Sequence, residues 1–281
     1  ESEAQPVRDE STPSQTDQGR ATQDNESTEN VADPISTVTG EEVLELTDAR
    51  LVGALPFEFK RVYRSGSSDR RLDMGYGWRH SLNHALTFDD GGITWHDHEG
   101  KNTRLPELES APVGINSRAG MAAWRDGEEV IVCAGEKSLR YHFLRSGSSG
   151  QLVRISDRYG NTLKVGYNLH GQLERLSNDS GNALAFDFEG SRLTSVRLLR
   201  RELTDTGYQW QSLRTERSYI YDDSDDLIGA EDAEGGTERY GYENHMLTHR
   251  QLAGGYSFYL AWDENLPTGR CVHQWGDSAQ V

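Results

Sequence analysis

The densest group of side chains able to do chemistry is His96-Asp97-His98-Glu99. On a strand, alternation would put His96 and His98 on one face, as two metal ligands require. The spacing specifies no third ligand, so the expected role is structural and no metal site is assigned. Asp222-Asp223-Ser224-Asp225-Asp226 offers carboxylates to a hard cation such as calcium. It lacks the glycine and the later bidentate glutamate of a calcium loop, whose places fall on Leu227 and Ala233. A solvated turn is the expected reading. Cys133 follows Val130-Ile131-Val132 with no cationic neighbour to lower its pKa, as for a buried, inert thiol. Cys271 stands two residues before His273, a pairing common by chance. Gly75-Tyr76-Gly77 lacks the third glycine, lysine and hydroxyl of a phosphate loop, and reads as a tight turn beside Trp78. Arg197, Arg200 and Arg201 form the one basic cluster, expected on a solvated loop, with a docking patch for an acidic partner as the alternative. Glu41 and Glu42 are adjacent carboxyls, and each disfavours ionisation of the other, one route to a pKa suited to general acid–base work. In a strand they would point to opposite faces, so only one could act directly. The plain reading is two surface glutamates at the start of a strand. No cofactor motif is present.

The elements that must position these groups have a period of two. Phe57, Phe59, Arg61 and Tyr63 alternate with Glu58, Lys60, Val62 and Arg64. Further short extended runs are Thr94 to Glu99, Val130 to Cys133 and Leu139 to Phe143. Asp89-Asp90-Gly91-Gly92, Ser146-Gly147-Ser148-Ser149-Gly150 and Glu234-Gly235-Gly236 punctuate the chain. Short alternating runs between turn residues predict an all-β meander.

Composition sets outer limits. The 281 residues carry 29 Lys and Arg against 46 Asp and Glu, a formal charge of −17. Nucleic-acid binding, which needs a basic surplus to neutralise phosphates, is not expected. No stretch approaches the ~18 apolar residues of a spanning helix. Two cysteines make no disulfide framework. Glu1 in place of Met leads us to expect a piece of a longer protein. Residues 1–33 hold nine acids and two arginines with no aromatic, Leu or Ile. Such a segment cannot offset its ordering entropy by burial, so a disordered acidic leader or linker is predicted there.

A repeat runs through the second half. Leu152, Leu173 and Leu193 are spaced by 21 and 20 residues, and Leu227, Leu247 and Leu266 by 20 and 19. The 34-residue gap between the two groups implies an insertion at about Leu199 to Leu213. Most of these leucines follow an aromatic: Tyr167, Phe188, Tyr221, Tyr242 and Trp262. Phe186 competes with Phe188 for its place. Each unit is then a strand ending in an aromatic, a polar turn, and a strand opening on leucine, about one β-hairpin.

At these residues the chain resembles the Rhs, or YD-repeat, family. Tyr221-Asp222 with Leu227 is similar to its repeat unit, as is Asp157-Arg158-Tyr159-Gly160-Asn161 leading to Tyr167 and Gly171-Gln172-Leu173. Pro34-Ile35, Thr39-Gly40-Glu41, Tyr63-Arg64-Ser65, Gly75-Tyr76-Gly77-Trp78 and Trp95-His96-Asp97 resemble the module that opens the Rhs core. Only one unit keeps Tyr-Asp literally; others read Tyr-Asn, Tyr-Glu and Trp-Asp. The resulting division is a leader at 1–33, an opening module at 34–145 that would serve as plug or anchor, and repeats at 146–281.

The resemblance implies a structural function: the opening stretch of a hollow β-shell that encapsulates a C-terminal toxin. Its partners would be the rest of the shell and the toxin, and a secretion spike protein or chaperone. Delivery by type VI secretion in interbacterial competition is implied, with the protein cytoplasmic before delivery and secreted afterwards. Some family members cut themselves at the opening element. By resemblance the scissile bond would lie near Asp33–Pro34, with Glu41 or Glu42 as the acting carboxyl. The alternative from another class is a surface adhesin or carbohydrate-binding protein that uses aromatics exposed on one sheet face.

Overall fold

The computed structural model describes residues 7–8, 15–16, 39–108, 112–134 and 139–277. The protein is all-β, as expected. Apart from a single 3-10 turn at Ser65–Ser67, the described elements are strands. Among the described residues no helix is long and apolar enough to cross a membrane. Of the leader, only Val7–Arg8 and Gln15–Thr16 are described, as two-residue strands paired to Val113–Asn116 and Lys101–Leu105.

The chain forms two compact units, one of Glu1–Asp24, Val52–Phe57 and Leu82–Ala183, the other of Asn25–Leu51, Glu58–Ser81 and Leu184–Val281. They do not follow a break at 145/146. The physical reason is strand pairing across that point: Ala85, Leu86 and Thr87 pair with Gln151, Gly150 and Ser149, which ties strand Ala85–Asp89 to strand Ser149–Ser156.

The first unit is an antiparallel meander. Strands Met121–Asp126, Glu129–Ala134, Leu139–Ser146, Ser149–Ser156, Thr162–Tyr167 and Leu173–Asn178 each pair with the next. Register brings Val132, Tyr141, Ile155 and Leu163 into one row, and Val130, Phe143 and Leu152 into another. Most of these side chains are buried, which gives the sheet one apolar face.

In the second unit, Val43–Leu51, Phe57–Arg64 and Trp78–His80 form a small three-stranded sheet. The repeats continue as Arg192–Thr204, Gly207–Tyr221, Leu227–Asp232, Thr237–Glu243, Met246–Gln251, Ser257–Trp262 and Cys271–Gly276. The insertion read from the leucine gap is the long hairpin Arg192–Thr204 and Gly207–Tyr221, whose far end exposes Leu203, Tyr208 and Leu213.

One turn recurs. Its first residue accepts the amides two and four residues on through a side-chain oxygen: Asp97 (2.9 and 2.8 Å), Asp157 (2.8 and 3.0 Å), Asn168 (2.9 and 3.0 Å), Asp222 (2.9 and 2.9 Å) and Asp232 (3.0 and 2.8 Å). A short acceptor that folds back on its own backbone is what Asp and Asn supply. The fourth residue is left-handed and is Gly100, Gly160, Gly171 or Gly235 in four copies, but Asp225, at φ 65°, in the fifth. An L-residue there is strained, and Asp225 is held by ion pairs from Arg71 Nε (2.8 Å) and Arg192 Nε (3.0 Å).

Candidate functional site

The opening element sits in the second unit. Gly40 is left-handed and its carbonyl accepts the Cys271 amide at 2.9 Å, which fastens the element to the strand Cys271–Gly276. Glu41 is clamped by Arg64, Nε to Oε1 at 3.0 Å and Nη2 to Oε2 at 2.8 Å. A Cβ on Gly66 would lie 2.6 Å from Glu41 Oε1, so glycine there leaves room for the carboxylate. Glu42 is fully buried, its amide donating to Ser65 Oγ at 3.1 Å and its carbonyl accepting the Ser65 amide at 3.1 Å. The surface reading of these glutamates is therefore corrected: both are buried, because the strand Phe57–Arg64 and the Ser65–Ser67 turn cover them. Asp33 and Pro34 lie outside the described residues.

The same unit also holds a buried polar seat that sequence reasoning missed. Arg61, with no exposure, pairs with Asp48 and donates to Tyr240 Oη at 2.7 Å, and its Nη2 stands 3.3 Å from Glu238. Tyr219 Oη donates to Asp48 Oδ2 at 2.6 Å, and Arg217 stands 3.1 Å from Asp48 Oδ1. The one signal in the sequence was an arginine on the apolar side of Phe57-Phe59-Arg61-Tyr63. Alternation breaks from Arg61 onward because both faces of that strand are covered.

The same unit shows how early and late strands of the chain are joined. Trp78 Nε1 donates to Tyr242 Oη at 2.8 Å, and Tyr242 Oη donates to the Leu227 carbonyl at 2.7 Å. Tyr63 Oη donates to the His245 carbonyl at 3.2 Å and accepts the Leu247 amide at 2.8 Å. Burial holds the phenols of Tyr63, Tyr219, Tyr240 and Tyr242 above their ordinary range, so each stays protonated and able to donate.

The predicted repeat residues fall as follows. Leu152, Leu173, Leu193, Leu227 and Leu247 are buried. Each aromatic able to donate reaches the carbonyl of the leucine one unit back: Tyr167 to Leu152, Tyr221 to Leu193 and Tyr242 to Leu227, all at 2.7 Å, and Trp262 to Leu247 at 2.8 Å. Across its own turn the aromatic faces the next leucine through a β-bulge, as Tyr167 faces Leu173, Tyr221 faces Leu227 and Tyr242 faces Leu247. Phe188 is half-buried in Asn182–Glu189 and has no donor, while Phe186 is buried against Phe59 at 5.1 Å. Leu266 requires correction. It is 46% exposed in a longer turn, where the Asp263 amide donates to Arg270, and Cys271 takes the place opposite Trp262. Extra residues around Pro267 displaced the register.

The other candidates are engaged locally. The strand Gly92–His96 ends at His96, so His98 lies in the turn and alternation does not pair the two rings. His96 contacts Thr87 Oγ1 at 3.0 Å and Asn102 Oδ1 at 2.7 Å, and Asp97 caps the turn. In the acidic run Asp222 caps, Asp225 pairs with two arginines, and Asp226 meets His245 at 2.8 Å. Burial pushes both the Cys133 and Cys271 thiols up, away from thiolate chemistry. A Cβ on Gly75 would lie 2.4 Å from the Asp225 carbonyl oxygen, so this turn is a point of close backbone approach. Arg197 is held bidentately by Asp187 at 2.6 and 2.7 Å, and Arg201 lies over the Tyr208 ring at 4.8 Å.

Residues 32–105 match a family model described as a domain of unknown function, DUF6531. The chain is 24% identical over 241 residues to double-stranded DNA deaminase toxin A of Burkholderia cenocepacia (strain H111), covering 82% of this chain and 16% of the relative. Among solved structures it is similar to the TcdB2–TccC3 crystal structure, at 10% identity and TM-score 0.48 over 80% of this chain and 16% of the other. It is also similar to a Photorhabdus luminescens Tc holotoxin pore structure, at 14% identity and TM-score 0.32 over 68% and 12%. The chain spans about a sixth of the length of the curated relative. The match at residues 32–105 and the similarity along most of this chain to a bacterial toxin are in keeping with the Rhs-type resemblance of its ordered motifs.

Proposed function

We propose that this chain is the opening part of a β-hairpin wall that encloses a toxin polypeptide until delivery. One observation carries the reading: the recurring hydrogen bond from the aromatic of one hairpin to the leucine carbonyl of the hairpin before it. Such a tie makes each hairpin the template for the next, and stability then accrues through nearest neighbours. A wall of this kind suits a lean apolar content, because only part of each sheet needs covering. The Tyr63, Trp78 and Tyr242 contacts give the opening module the role of a foundation for the later hairpins. The similarity to a named toxin supports the delivery role. Secretion by a type VI apparatus, with a spike protein or chaperone as loading partner, is the route we attach to it.

Limited proteolysis of the whole gene product tests this. A wall that encloses its cargo should leave the C-terminal segment resistant to protease until denaturant opens the wall. Cleavage of that segment at the rate of a free polypeptide under native conditions would contradict the enclosure.

Self-cleavage near Asp33–Pro34 is the one chemical act that goes with this reading. Glu42 is the better candidate, since Arg64 occupies both oxygens of Glu41. If the element is autocatalytic, the gene product should give two bands with a new N-terminus near Pro34, and Glu42→Gln should abolish them while the fold persists. Undiminished cleavage in Glu41→Gln, Glu42→Gln and the double variant would remove both carboxyls from the reaction.

A further inference from the structure

Three side chains of the first unit are joined in series. Ile131 pairs with His142 and Arg140 with Ser156, so strand register sets Glu129, His142 and Ser156 on a diagonal across consecutive strands. His142 Nδ1 stands 2.9 Å from Glu129 Oε2, and His142 Nε2 stands 2.8 Å from Ser156 Oγ. Ser156 is the last residue of its strand, and it lines, with His142, a hollow of about 450 Å3. Hydroxyl, imidazole and carboxylate in that order of contact are the parts of an activated nucleophile.

The proton positions follow from charge. Burial works to raise the Glu129 carboxyl, but hydrogen bonds from Arg154 and His142 outweigh it and hold it below its ordinary range. A carboxylate only accepts, so Nδ1 carries the ring proton and Nε2 is left to accept from Ser156 Oγ. Arg154 Nη2 also lies 3.1 Å from Nδ1, but its nearer acceptor is the same Glu129 oxygen. Arg154 thus fixes the carboxylate that fixes the ring. Burial lowers the imidazole, against the pull of Glu129, so at about pH 7 it is neutral and fit to act as a base.

The hollow supplies the rest. Arg140 is the partner of Ser156 on the neighbouring strand, and such partners share a sheet face with their Cβ atoms about 5 Å apart. Arg140 has no carboxylate partner among the described residues and lies over the Trp124 ring at 5.9 Å. A guanidinium beside the nucleophile, with no carboxylate of its own, is placed to hold a negative oxygen formed there. Tyr159, exposed in the turn after Ser156, gives the hollow a second ring.

We propose that Ser156, His142 and Glu129 form a serine esterase site for small esters of aromatic alcohols. Ser156 Oγ adds to the ester carbonyl carbon while its proton passes to His142 Nε2, and Arg140 holds the oxyanion. The bond to the alcohol oxygen then breaks, the alcohol leaves with the proton from Nε2, and Ser156 keeps the acyl group. A water molecule gives its proton to Nε2 and attacks the acyl carbon, which releases the carboxylic acid and restores the serine hydroxyl. The aromatic part of the alcohol lies against Trp124 and Tyr159. Ser156 and His142 are the catalytic residues, and Glu129 is a positioning residue.

Diisopropyl fluorophosphate and p-nitrophenyl acetate test the site on the intact chain. The fluorophosphate should attach to Ser156 with loss of fluoride, as peptide mass mapping reads, and urea should abolish the labelling. This arm uses the parent chain, so it stands whether or not a variant folds. The labelling rate should rise with pH through a midpoint below 6.5, where His142, facing Glu129, Arg154 and Arg140, loses its proton. Glu129→Gln should slow labelling at least about tenfold and move that midpoint lower, since Glu129 favours the charged ring. Ser156→Ala should lower p-nitrophenyl acetate turnover at least about a hundredfold. Tyr159→Ala, in an exposed turn, should raise KM about fivefold with kcat unchanged. No label on Ser156, equal labelling in urea, turnover retained in Ser156→Ala, a midpoint unmoved in Glu129→Gln, or KM unmoved in Tyr159→Ala would each overturn the assignment.

Discussion

The Tyr242 hydroxyl donates to the Leu227 carbonyl at 2.7 Å, fifteen residues back along the chain. The same contact, at the same distance, joins Tyr221 to Leu193. The difference between the two sites is what else the hydroxyl holds: at Tyr242 it also accepts the Trp78 indole N–H at 2.8 Å.

That difference predicts an order of stability losses. Tyr221→Phe removes one donor and should cost about 0.5–1.5 kcal/mol. Tyr242→Phe leaves both a carbonyl and an indole N–H without this partner in a buried place, and should cost more, about 2–3 kcal/mol. Urea denaturation of the two variants checks it; equal losses would mean that the Trp78 contact adds nothing.

Arg61 and Asp48 should behave as a buried pair, each without exposed side-chain surface. Arg61→Met strands the Asp48 charge, a loss of about 3–5 kcal/mol for such pairs. Arg217 also approaches Asp48, at 3.1 Å, which sets the expectation toward the lower end. Adding Asp48→Leu should recover part of the loss. A double variant less stable than Arg61→Met alone would contradict the pairing.

Asp225 sits at φ 65° in a place that four sister turns give to glycine. Asp225→Gly relieves the backbone but gives up the pairs with Arg71 and Arg192, whose partly exposed side chains make each pair worth only ~0–1 kcal/mol. The net change should be close to zero. Asp225→Ala keeps the strain and loses the pairs, so thermal denaturation should place it about 1 kcal/mol below the glycine variant. Equal stability of the two would rule out a strained turn.

Period and alternation showed in the sequence because they depend on residues close in the chain. The aromatic, the polar turn and the leucine lie within about one hairpin, so Tyr167 with Leu173 and Tyr221 with Leu227 could be read directly. Leu266 was misplaced because register after Trp262 depends on turn length, and the Asp263–Arg270 turn is longer than its sisters. The Arg61 seat was hidden for a different reason. Its partners Glu238 and Tyr240 lie 177 and 179 residues away, and no local pattern encodes such a meeting. The burial of Glu41 and Glu42 likewise depends on a cover supplied by Phe57–Arg64 and the Ser65–Ser67 turn.

His142 gives the first unit a pH dependence. Burial is the largest influence and lowers its imidazole below the ordinary 6.5, against the raising effect of Glu129. The unfolded chain therefore takes up this proton first as pH falls. The associated stability is complete above about 6.5 and is lost as pH falls from there through the lowered folded-state value. Glu129, lowered from 4.5, responds only in a more acidic window. Between about pH 7.5 and about pH 5.5 the parent should lose more stability than His142→Gln in urea titrations. An equal or larger loss in the variant would show that His142 is not the titrating group.

Electron cryomicroscopy of the whole gene product tests the wall most directly. Hairpins beyond residue 277 should continue with the same period of about twenty residues, each aromatic reaching the carbonyl one hairpin back, and should close around a cavity that holds polypeptide density. A particle in which these hairpins pack as a solid body, with no enclosed space, would contradict the account.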